Sequence, residues 1–192
     1  GRAVDLRDVA GEAPREPLLR ELGQFNQHRA IPRVGLDRAT RVQPPGAPDT
    51  DTMDTWVDWD TSQGATERWI GGYRIEVSSS LDADGLHAPR IRLTDSVGAT
   101  TEIVGAGAGY GVNAAFAVTR LDLRDTVSQV LVRTFTGGAH CCSVLTVIES
   151  RDGAWRTYDL GSWDGDTPAM PRDLDRDGLK EVRFVDHAFL YA

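Results

Sequence analysis

Cysteine is almost missing from this chain of 192 residues: two are present, and they are neighbours, Cys141 and Cys142. Adjacent cysteines exclude a conventional framework of disulfides stapling distant segments. No stretch approaches the roughly 20 apolar residues that span a bilayer as a helix. Basic residues are outnumbered, 21 against 29 acidic, giving a formal net charge of -8 and a pI near 4.9. A general nucleic-acid binder needs a basic footprint to displace counterions, and an anionic lipid surface asks for the same. Both partners are excluded on charge, whereas a soluble cation-binding protein fits it. Long helical periodicity is missing beyond residue 30. Hydrophobic residues make up 40% of the chain, enough for a packed core.

The first residue is Gly1 rather than Met, as in a mature form after removal of a signal peptide. The expected location is therefore periplasmic or secreted. Six of the nine prolines lie at or before Pro48. Residues 1–67 read as an extended Pro/Asp-rich arm. Within it, Pro17 suits a first helical position, and Leu18, Leu19, Leu22 and Phe25 share a face, predicting one short helix near residues 17–28. Asp49, Asp51, Asp54, Asp58 and Asp60 crowd around Trp56 and Trp59. That stretch reads either as a solvated acidic linker or as a docking peptide with aromatic anchors.

From Trp69 the pattern changes to period two, predicting a β-rich domain over residues 68–192. Tyr73, Ile75 and Val77 alternate with Arg74, Glu76 and Ser78. Ile91 and Leu93 alternate with polar neighbours, and Val130, Val132 and Thr134 oppose Leu131, Arg133 and Phe135. Asp95-Ser96-Val97-Gly98 and Arg151-Asp152-Gly153-Ala154 read as hairpin turns. The body is expected to be mostly β, a propeller-like or sandwich array of short antiparallel strands. A weak repeat at an offset of 52 sets Arg124-Asp125 against Arg176-Asp177 and Val130 against Val182. Propeller blades recur at about 40 to 50 residues.

Asp173-Leu174-Asp175-Arg176-Asp177-Gly178-Leu179-Lys180-Glu181 carries the clearest chemistry. Ca²⁺ takes six to eight hard oxygen ligands, and carboxylates at alternate positions can curl around one ion. Gly178 permits the sharp turn. The expected ligands are Asp173, Asp175, Asp177, the carbonyl of Leu179 and Glu181. The plain alternative is a solvent-facing turn, where Asp and Gly are common. An EF-hand is excluded, since its twelfth loop position needs Glu and here is Phe184, within an apparent strand. The loop resembles the calcium loops of FG-GAP and VCBS repeats of integrin-like propellers, departing in Glu181 at the ninth position and lacking the Phe-Gly and Gly-Ala-Pro signatures. Asp122 and Asp125, like Asp82 and Asp84, would be degenerate copies that bind nothing.

The segment Gly137-Gly138-Ala139-His140-Cys141-Cys142 has three readings. One is a disulfide between the adjacent Cys141 and Cys142, strained because neighbouring Cα atoms sit closer than in ordinary bridges. Another is a soft metal site of His140, Cys141 and Cys142. The third is a Cys nucleophile with a His base, for which His87 or His187 could serve. Buried, reduced packing thiols remain the default if none applies. With the Asp loop and the ending Phe189-Leu190-Tyr191, this segment resembles a group of uncharacterised secreted bacterial proteins, which implies location and architecture but no reaction. Gly105-Ala106-Gly107-Ala108-Gly109-Tyr110-Gly111 fails the dinucleotide fingerprint and reads as a flexible loop or a close backbone approach.

The sequence thus points to a non-catalytic, calcium-stabilised extracytoplasmic protein acting by binding or assembly. An accessory subunit contacting a protein partner through its arm, including a partner in a membrane complex, is the expected role. The competing readings are a thiol-redox protein or hydrolase built on Cys141 and Cys142, and a carbohydrate-binding module. The ending on an apolar strand suggests a natural chain that continues beyond Ala192.

Overall fold

A computed structural model describes residues 2–4, 52–108, 112–137 and 142–184. The short helix expected near residues 17–28, and most of the arm, lie outside the described residues. Of the two expected arrangements, the sandwich is the one present. Eleven strands are described: β1 Arg2–Val4, β2 Val57–Asp60, β3 Thr66–Ile70, β4 Tyr73–Leu81, β5 His87–Thr94 and β6 Thr100–Val104, then β7 Asn113–Thr119, β8 Gln129–Phe135, β9 Ser143–Arg151, β10 Ala154–Trp163 and β11 Val182–Phe184. They form a four-stranded sheet in the order β3-β4-β5-β6 and a five-stranded sheet in the order β10-β9-β8-β7-β2, with β1 and β11 as a separate pair. Every named pairing is antiparallel.

Period two decides which side chains meet between the sheets. Tyr73, Ile75 and Val77 of β4 and Ile91 and Leu93 of β5 pack against Ala114, Phe116 and Val118 of β7, Val130 and Val132 of β8 and Ile148 of β9. A second core lies on the opposite face of the five-stranded sheet. There Ala117, Leu131, Leu145 and Val147 meet Leu121, Trp163, Val182 and Phe184. The rings of Trp163 and Phe184 meet edge to face at 4.6 Å, a favoured aromatic arrangement. The five-stranded sheet is therefore a middle layer, covered by the other sheet on one side and by the C-terminal segment on the other.

Local chemistry sets the turns. Asp152 and Gly153 both take positive φ, 53° and 76°, and Ala154 pairs with Arg151. This is the two-residue hairpin whose twist matches that of its strands. At the β5–β6 turn, Asp95 Oδ1 accepts from the Val97 and Ala99 amides, and Gly98 sits at φ 84°.

The boundary of the arm needs correction. Residues 52–67 belong to the body. β2 pairs with β7 along the sheet edge, and Trp59 is 2% exposed in the first core. The Trp59 indole donates to the Gly64 carbonyl at 2.8 Å. Apolar burial of Trp59, together with the ladder to β7, outweighs the solvation of the neighbouring aspartates, which face outward or cap turns. Asp60 Oδ1, for example, caps the 3-10 turn Thr61–Gln63 through the Ser62 amide.

Among the described residues no helix is long and apolar enough to cross a membrane.

Candidate metal centre

The aspartate loop is closed at its base by a short antiparallel bridge. Arg172 and Glu181 exchange both backbone hydrogen bonds, at 3.2 and 2.9 Å. Inside it the carboxylates fold the backbone, as short acceptors do in Asx turns. Asp175 Oδ1 accepts from the Asp177 amide at 3.1 Å, and Asp177 Oδ1 from the Leu179 amide at 2.8 Å. Asp173 Oδ2 accepts from the Gly178 amide across the loop at 3.1 Å. The turn requires left-handed backbone at Arg176, φ 67°, and at Gly178, φ 90°. Glycine adopts that region without strain, whereas Arg176 does so at some cost.

This folding gathers three of the five expected ligands. One carboxylate oxygen from each of Asp173, Asp175 and Asp177 lies within 4.8 Å of the other two. Asp173 Oδ1 is buried and has no hydrogen-bond partner. A buried acceptor without a donor is costly, and a cation would relieve it. Glu181 is not part of the cluster of three; its Oε2 reaches back to accept from the Leu174 amide at 2.8 Å. Leu179 is buried and forms an isolated bridge with Asp122.

That bridge docks the loop on a second turn, Leu121–Val127. The Leu123 amide donates to the Gly178 carbonyl and the Lys180 amide to the Leu121 carbonyl, both at 2.8 Å. The carboxylates of this second turn are held by guanidinium groups. Arg124 grips Asp122 through Nε and Nη2, at 2.8 and 3.0 Å, and Arg151 reaches Asp125 at 2.6 Å. The Arg124 hydrogen bond holds the Asp122 carboxyl below its ordinary range. For Asp125 the Val127 amide does so first and Arg151 second. The residues that meet here, Leu121 with Lys180 and Leu123 with Gly178, are not those matched at the offset of 52, and no motif in the sequence announces this docking. Asp82 closes the β4–β5 hairpin instead, accepting from the Asp84 and Leu86 amides.

Lys180, the only lysine in the sequence, leaves the loop in another direction. Its Nζ lies 2.6 Å from Asp54 Oδ1 and 3.0 Å from Thr119 Oγ1. Burial pushes the Asp54 carboxyl up, but hydrogen bonds from Lys180 and Thr119 and the nearby charges of Lys180 and Arg120 outweigh it and hold the group below its ordinary value.

Cys142 sits where the β8–β9 connection rejoins the ladder. Its amide donates to Thr136 Oγ1 at 2.7 Å, and its carbonyl accepts from the Thr136 amide at 2.9 Å. Cys142 is disulfide-bonded; Cys141, the other cysteine, lies outside the described residues, as do His140 and His187. His87 opens β5, exposed, and bridges Ala108. The described part of the glycine-rich run, residues 105–108, is a close backbone approach. A Cβ on Gly105 would lie 2.7 Å from the Pro89 ring and 3.0 Å from Thr134, and one on Gly137 would lie 2.7 Å from Ala108 Cβ.

No family model matches the chain, and no solved structure matches it. A probable thylakoid lumen protein of Synechocystis sp. is 38% identical over 76 residues, covering 38% of this chain and 22% of that protein. An uncharacterized protein of Sinorhizobium fredii is 29% identical over 124 residues, covering 63% of this chain and 19% of that protein. The chain thus spans about a fifth of the length of these curated relatives.

Proposed function

We propose that this is an extracytoplasmic β-sandwich that binds calcium at the Asp173–Asp177 loop and works by binding or assembly rather than catalysis. The observation carrying the reading is the convergence of three carboxylate oxygens within 4.8 Å beside Asp173 Oδ1, buried without a donor. All the candidate ligands are hard oxygens, which suits Ca²⁺ over a soft metal. Asp173, Asp175 and Asp177 would hold the ion, with the Leu179 carbonyl and Glu181 available to complete the shell after small shifts. The ion's part is structural: it offsets most of the charge of the three carboxylates and orders the loop that leads into β11. The location draws support from the similarity to a probable thylakoid lumen protein. A protein partner, engaged through the N-terminal arm, remains the proposed role of that region.

The test is calorimetric titration of the chelator-treated protein with calcium, paired with thermal melts in calcium and in chelator. One bound ion and a raised melting temperature are expected, since a ligand at a hundred times its Kd adds about 2.7 kcal/mol to stability. No heat and superimposable melts would reduce the loop to a solvent-facing turn.

A further inference from the structure

We infer that filling the aspartate loop with a divalent cation and seating strand β2 on the edge of the five-stranded sheet are one coupled equilibrium, joined through Lys180. This rests on the calcium reading above and adds a mechanical output to it.

β2 is four residues long and, among the described residues, has one neighbour in its sheet, β7. So short an edge strand opens easily on its ladder alone. What holds its approach is Asp54, three residues upstream of Val57. The Asp54 amide donates to the Val118 carbonyl at 2.8 Å, and its carboxylate takes the Lys180 ammonium. Asp54 holds this position at φ 61°, a left-handed conformation that a non-glycine residue keeps only when its surroundings fix it. Trp56, two residues further on, packs against the second core.

Lys180 itself is placed by the aspartate loop. It follows Leu179, which bridges Asp122, and its own amide is pinned to Leu121. Its side chain is 13% exposed, so the stem runs along the protein, and the ammonium reaches both Asp54 and Thr119. A loop loosened by repulsion among Asp173, Asp175 and Asp177 would shift the Lys180 backbone. The contact to Asp54 and Thr119 would go with it. An ion that fixes the loop fixes the reach of Lys180, and hence the approach to β2.

The experiment is hydrogen exchange by mass spectrometry on the full chain, in calcium chloride and in chelator. Calcium is expected to slow exchange at Asp54 and Val57–Asp60 about fivefold, the lower end of coupling between sites. Lys180→Met should keep one calcium per chain but lose the slowing at β2. It should also bind calcium more weakly by the same factor, because coupling is reciprocal. Lys180→Arg should retain most of both effects. Calcium that binds with heat and slows residues 121–123 and 172–181, but leaves β2 unchanged, overturns the coupling and leaves the ion site standing. Absence of heat together with absence of slowing anywhere overturns both.

Discussion

Lys180 and Asp54 stand 126 positions apart in sequence, yet their charged atoms meet at 2.6 Å. The contact ties the turn that precedes β2 to the segment entering β11. Because the Asp54 carboxyl is held below its ordinary value of 3.8, its stabilising contribution is fully present above that value and is lost as pH falls through the folded one. Asp54→Asn should therefore remove part of the acid destabilisation seen below about pH 4. With the Asp54 side chain 52% exposed, the effect at neutral pH should stay within about 1 kcal/mol. Acid titration of melting temperature for both proteins checks this; an unchanged acid limb would contradict it.

Phe116 is fully buried between the two sheets. Phe116→Ala should cost about 3–5 kcal/mol. Urea unfolding would show a lower midpoint at unchanged slope.

Gly105 lies between Pro89 and Thr134 with no room for a Cβ. Both neighbours are stiff, so Gly105→Ala should cost about 1–3 kcal/mol through forced backbone shifts. Gly64, whose Cβ direction is open, is the contrasting site: its φ of 66° adds backbone strain but no clash. Melting both variants separates crowding from dihedral preference.

Cys142 is disulfide-bonded, so alkylating reagent should leave it unmodified until the protein is reduced. Peptide mass mapping with and without reductant reads this directly.

Alternation made part of the fold legible. β4, β5 and β8 each present one apolar and one polar or differently packed row, and Asp152-Gly153 announces its hairpin. β7 went unread for a physical reason. Six of the seven residues in Asn113–Thr119 are buried, because this strand has a core on each side, and a strand buried twice shows no period. β2 was concealed differently: its aspartates dominate the composition of a stretch whose structure is set by Trp59. A chain beginning at residue 68 should accordingly lose the cooperative unfolding transition, since it lacks β2 and the Trp59 anchor. At the candidate metal centre, the spacing of Asp173, Asp175 and Asp177 was readable. Its anchorage on Leu121–Leu123 and the reach of Lys180 depend on long-range docking, which no local pattern encodes.

The double-sided burial of β7 and β8 also governs which replacements the protein can accept. In β4 a systematic survey of substitutions should find permissive sites at Arg74, Glu76 and Ser78 interleaved with intolerant ones. Along Ala114–Val118 and Val130–Val132 the same survey should meet unbroken resistance, since each residue there is buried on one side or the other. Among the described residues, replacements should thus be accepted more readily on the solvent-facing positions of the outer sheet than anywhere along these two strands.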